Sequence, residues 1–269
     1  AIVKRDFAPN RAGPMTSLYS SGIGLGAALG AGASAPVAAW LGWRGALAVW
    51  GVFALVAMVV WLPQIKGPIR RTEGRDVRAA MASLSRSPLA WQIALYLGLQ
   101  SLTFYVVLAW LPDILQSRGL TATESGGLLA LSQIIGISGS VVAPIWAGRL
   151  RDQRAIVWTL GIGEAIALAG LLTGWGPLAL WVVLLGIILG GTFGLGLLFL
   201  VLRASDAATA GDLSGVAQSA GYLIAATGPF AIGALFDWTG SWTPPLLALA
   251  VILLLKTGIG LGAGRDRVV

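Results

Sequence analysis

Long apolar runs separated by short polar connectors organise this chain. Eight runs reach the roughly 20 mostly apolar residues that a helix needs to cross a bilayer. They are Met15–Trp40, Gly45–Leu62, Leu89–Leu111, Gly126–Trp146, Ala155–Leu172, Pro177–Leu202, Leu213–Phe236 and Pro244–Gly262. The runs are continuous and do not alternate, which predicts helices and not barrel strands. The connector over 65–88 is longer than the others and carries six basic residues against Glu73 and Asp76. Within it "DVRAAMASL" predicts a short helix lying in the membrane surface. Ser87-Pro88 predicts a cap and first turn for the third span. Two spans precede this connector and six follow it.

Composition agrees with the pattern. Of 269 residues, 57% are hydrophobic and 11% charged, where a soluble domain carries about 25% charged residues. The reading is an all-α integral membrane protein. Trp is frequent at 12. Trp43, Trp91, Trp110 and Trp242 fall at span ends, where aromatic rings anchor helices in the interface. There is neither Cys nor His, which removes thiolate and imidazole metal ligands and the commonest general base. No metal, cofactor or catalytic cluster is therefore expected, and no enzyme. No Gly-rich stretch ends in Gly-Lys-Ser or Gly-Lys-Thr, so no nucleotide phosphate cradle is expected.

The net charge of +7 does not call for a nucleic-acid partner, because its placement has a simpler cause. Sixteen of the 18 basic residues fall on one set of alternating connectors, counting Lys256 as snorkelling there from the last helix; Arg44 and Arg118 hold the other side. The positive-inside rule puts the rich set, and with it both termini, in the cytoplasm.

"AGRLRDQR", positions 147–154, is similar to the cytoplasmic G-x-L-x-D-R motif of the major facilitator superfamily. Gly148, Leu150 and Asp152 match. The motif's next Arg is Gln153 here, with Arg154 one place late. "VKRDFAPNRAGPMTSLYSSGIGLGAAL", "GLQSLTFYVVLAWLPDIL" and "LSGVAQSAGYLIAATGPFAIGALFDWTGSW" resemble the cyanate and 2-nitroimidazole transporters within that superfamily. The resemblance implies helices five to twelve of a twelve-helix fold. Residues 1–64 would then be the last two helices of a first bundle, 65–88 the loop between bundles, and 89–269 the second six-helix bundle. The first four helices would be absent, which agrees with a first residue that is Ala and not Met. It further implies alternating access for a small polar or anionic solute, the lipid bilayer and that solute as partners, protons as a candidate coupling ion, and a monomer when complete. The alternatives are a non-transporting fragment and a membrane-embedded subunit or enzyme.

Polar side chains inside spans are the candidates for solute contact. They are Gln100 and Tyr105 on the third span, Gln133 on the fourth, and Gln218 and Tyr222 on the seventh. The competing reading gives them interhelical hydrogen bonds. Glu164 is the acid at mid-span, a candidate for proton coupling against a neutral or locally paired side chain. Gly148, Arg149, Asp152 and Arg154 form the candidate gate motif, with Asp152 also placed to cap the fifth span. The glycines of "GIILGGTFGLG" point to close helix packing, and Gly228-Pro229 to a kink in the seventh span.

Overall fold

A computed structural model describes residues 2–65 and 77–269; Lys66, Arg70, Arg71, Glu73, Arg75 and Asp76 of the long connector lie outside the described residues. Every regular element among the described residues is helical. α1 (Ile2–Asp6) and a 3-10 turn (Pro9–Arg11) lead into α2 (Ala12–Ile65), followed by α3 (Val77–Arg86), α4 (Pro88–Gln116) and α5 (Ala122–Ala147). α6 (Arg154–Thr173), α7 (Leu178–Leu202), α8 (Ala207–Thr239) and α9 (Thr243–Ala263) complete the chain.

At 54 residues, α2 as one rod would measure about 80 Å, more than twice the thickness of a hydrocarbon core. Gly42 breaks it, with φ 68° and ψ 172°, a backbone region open to glycine and costly for other residues. The first and second expected spans are the two parts of α2. Seven stretches among the described residues are long and apolar enough to cross a membrane; part of the first expected run, Met15–Trp40, lies outside the residues whose side chains are described. One of the seven, Val37–Pro63, runs across the Gly42 break. The other six match their expected runs within a few residues at most ends. The side chains of Val37–Pro63 are almost all exposed, a surface suited to hydrocarbon and not to water.

The cap expected at Ser87 is present: its hydroxyl accepts from the Ala90 N–H at 3.3 Å, with Pro88 in the first turn. α3 falls where the interfacial helix was expected and seats Leu84 inward. The aromatic anchors divide. Trp43 and Trp91 are exposed, as an anchor should be. Trp110 instead donates its indole N–H to the Pro229 carbonyl at 2.9 Å. Trp242 is buried and stacks on Phe236 at 4.1 Å. α8 continues as helix through Pro229.

Helices α4–α9 pack into one bundle, with α5 set tightly on α7 and α4 on α8. The α5–α7 contact is a backbone contact. A Cβ on Gly190 would land on the Gly136 carbonyl oxygen, and one on Gly139 on the Ile187 carbonyl oxygen. The glycine run of α7 therefore does what close packing between membrane helices requires.

Candidate functional site, an aromatic cleft beside a small-residue seam

α4 presents two faces. Successive helical residues advance by about 100°, so Tyr105, nine positions beyond Tyr96, lies half a turn round from it. Tyr96 points into the bundle and is buried against Phe199, their rings 5.4 Å apart. Tyr105 is on the other face and 41% exposed. It lines a cleft of ≈ 550 Å³ with Leu108 and Ala109 of α4, and Tyr222, Ala226 and Pro229 of α8. Tyr222 is 40% exposed. Gln218, one turn away on the same face of α8, is half-buried and donates to the Ser214 hydroxyl at 2.5 Å.

Gln100 is not on the cleft face. Five residues from Tyr105, it sits about 140° round the helix, close to the Tyr96 face. It is buried, and its amide donates to the Leu189 carbonyl of α7 at 2.9 Å. That is the interhelical hydrogen bond of the competing reading. Gln133 is half-buried on α5, next to Ser132 at 3.5 Å. It lies one turn from Ile137, which meets Gly24 of α2, so it borders the α2 side. Tyr19 of α2 was not singled out from the sequence; with Tyr105 it is an electrostatic neighbour of Tyr222. The signal was available, since Tyr19 faces away from the serine-rich stripe formed by Ser17, Ser20 and Ser21.

Next to the cleft, towards the α5–α6 turn, α2 runs antiparallel to α5 along a seam of small residues. The Ser17 hydroxyl donates to the Val141 carbonyl at 2.8 Å, and the Ser20 hydroxyl to the Ser140 carbonyl at 3.0 Å. Where the seam ends, Gly13 faces Gly148: a Cβ on Gly148 would stand 2.8 Å from the Gly13 Cα. The motif glycine is thus the point at which α2 touches the α5–α6 turn.

The rest of the motif separates by burial. Arg149, Arg151 and Arg154 are exposed. Asp152 accepts from the Arg154 backbone N–H at 2.9 Å and from its guanidinium at 2.8 Å. The first of these bonds holds the Asp152 carboxyl below the usual carboxylate range, against the cost of partial burial. The cap expected of Asp152 is therefore a bond to the first helical N–H.

Gln153, the departure from the motif, is the buried member, 1% exposed. Its side-chain amide donates to the Ala147 and Leu150 carbonyls, and its backbone N–H to Gly264. Its side-chain oxygen accepts from Arg203. Arg203 is also buried; it donates to the Ala263 and Gly264 carbonyls, both at 2.9 Å. Burial pulls its pKa below the ordinary arginine value, opposed by Asp266 and Asp152. One guanidinium thus ties together the α5–α6 turn, the end of α7 and the end of α9. Arg203→Met should take this donor from the Gln153 side-chain oxygen and the Ala263 carbonyl, leave the Gly264 carbonyl only its bond from the Gln153 N–H, and cost about 3 kcal/mol. In detergent this reads as a Tm lower by roughly 6–12 °C; an unchanged Tm would show the cluster to be incidental.

Glu164 and Lys256 complete the geometry. Lys256 does not snorkel; it is 2% exposed and donates to the fully buried Glu164 carboxylate at 2.6 Å. It sits seven residues, about 10 Å, before the end of α9, deeper than its side chain spans. Without it, the basic residues on the rich side number fifteen against two.

Residues 1–229 match the sequence model of the Major Facilitator Superfamily. The chain belongs to the major facilitator superfamily. Among its relatives, an uncharacterized transporter, YycB, of Bacillus subtilis (strain 168) is 38% identical over 99% of this chain and 67% of its own length. The 2-nitroimidazole transporter of Escherichia coli (strain K12) is 39% identical over 99% of this chain and 68% of its own. The cyanate transport protein CynX of the same organism is 29% identical over 90% of this chain and 62% of its own. The superfamily member described here spans about two thirds of those lengths. Secondary transport of a small solute across a membrane is the function that family and relatives support, and they do not favour a membrane enzyme.

Proposed function

We propose that this chain moves a small polar or anionic solute, cyanate-like or nitroimidazole-like, by alternating access, and that it does so in a bacterial inner membrane with both termini cytoplasmic. Residues 1–64 are read as the last two helices of a first bundle, 65–88 as the inter-bundle loop and 89–269 as the second bundle. The bundles rock about a site near the bilayer midplane, and the complete protein acts as a monomer. The observation that carries this reading is the pairing of an aromatic cleft on α4 and α8 with a closed α2–α5 seam at the motif end. A cleft next to a closed seam on the motif side is the arrangement of a carrier open to the outside. Tyr105, Tyr222, Gln218 and Gln133 are the proposed solute contacts, with Tyr19 facing them. Gln100 supports α4 from behind. Gly148, Arg149, Asp152 and Arg154 form the gate turn.

Uptake of labelled cyanate and of labelled 2-nitroimidazole by proteoliposomes tests the proposal. Tyr105→Phe and Tyr222→Phe are each expected to raise KM about fivefold, the loss of one hydrogen bond of about 1 kcal/mol, with the amount of folded protein unchanged. No uptake of either solute, with or without a proton gradient, would dispose of the solute assignment. Proton coupling through Glu164 is the part of the expectation that the geometry favours least, because its carboxylate is already matched by Lys256.

A further inference from the structure

Three helices of the bundle meet α4 at Tyr96. α7 brings Phe199, at 5.4 Å between ring centroids, and Thr192. α9 brings Gly260, whose missing side chain makes room for the Tyr96 ring. α6 brings the Glu164 carboxylate, an electrostatic neighbour of Tyr96. Around this point α6 and α9 close on each other, Gly161 lying against the Thr257 side chain, and the Lys256 ammonium bridges to Glu164 at 2.6 Å. The titratable groups facing Glu164 are Lys256 from α9 and Tyr96 from α4; α7 presents Ile188 and Thr192 to this region.

We infer that Glu164 and Lys256 form a charge-compensated clamp that positions α4, and through it the solute cleft, and that Glu164 does not carry a coupling proton. The pair is neutral whichever partner holds the shared proton. Adding a proton leaves a lone ammonium in the bundle core; removing one leaves a lone carboxylate. Either lone charge is costly between side chains this deeply buried, so the pair is held as a matched unit. What it does instead is mechanical. It draws α6 and α9 together behind Tyr96, half a helical turn from Tyr105, and so fixes the rotation of α4 that presents Tyr105 to the cleft. Glu164 and Lys256 are positioning residues. Their effect on transport rests on the transporter reading above; their effect on folding does not.

A double-mutant cycle tests the clamp. Glu164→Gln and Lys256→Met each leave one buried charge unmatched, and each should lower Tm in detergent by roughly 10 °C. The double variant E164Q/K256M should recover most of that loss. In proteoliposomes each single variant should raise KM severalfold, the double variant should return it to within about twofold of the parent, and its uptake should keep the parent's pH profile. Two results would overturn the inference. One is a pair of single variants as stable as the parent, or a double variant no better than the worse single. The other is a stable double variant that exchanges solute but has lost proton-driven accumulation, which would make Glu164 the proton carrier. If the parent shows no uptake at all, the transport reading fails while the Tm cycle still decides the clamp.

Discussion

Gly190→Val should prevent the bundle from assembling. Its Cβ would land on the Gly136 carbonyl oxygen, and a backbone atom of a packed helix cannot swing aside as a side-chain tip can. α5 and α7 would have to separate along the contact, opening Gly139 from Ile187 as well. Overpacking in a close-packed interior costs about 1–3 kcal/mol where side chains can adjust, and more is expected here. The check is the yield of monodisperse protein in detergent and its Tm. Gly258→Val is the control, because a Cβ there meets nothing within 4 Å; it should stay near the parent. A folded Gly190→Val protein with the parent's Tm would mean that α5 and α7 do not pack as described.

Gly13→Leu should act differently, leaving the six-helix bundle folded and forcing the seam open. A Cβ on Gly13 meets the Pro144 carbonyl oxygen, but that contact joins α2 only to the end of α5. The sequence holds no cysteine, so Ser17→Cys, buried in the seam, is a clean reporter. In the Gly13→Leu background it should react with a water-soluble maleimide at least tenfold faster, a shift of about 1.4 kcal/mol between closed and open seam. Tm should move by only a few degrees. Unchanged labelling in a well-folded variant would sink the seam as the moving contact.

Sequence pattern resolved the spans well because each satisfies a single requirement, enough continuous apolar length. It resolved the site unevenly. Periodicity alone separates Gln100 from Tyr105 by about 140°, yet both are polar residues in one span, and polarity was the criterion that grouped them. Once the faces are distinguished, Gln100 belongs with Tyr96, and its bond to Leu189 follows. Lys256 was misread because distance to the helix end counts as much as charge: about 10 Å of helix separates it from the end of α9, and only the fold shows that an acid on α6 stands opposite. Arg203 read as one more orienting charge. Its role depends on two carbonyls at the end of α9 and on Gln153, partners 50 and more residues away that no local pattern brings together. Asp152, whose bond to Arg154 is local, was legible.

The burial of Gln153 bears on how the motif is to be recognised in distant relatives. Judged as letters, glutamine at this place is a lapse from a consensus that ends in Asp-Arg. Judged by what it touches, it is the acceptor for a guanidinium from another helix end: Arg203 brings that group from α7, and Gln153 receives it while serving two carbonyls of its own turn. The turn is held by a pair of positions 50 residues apart in the chain. A change at either position therefore bears on the other, costing Arg203 a buried acceptor or Gln153 a buried donor.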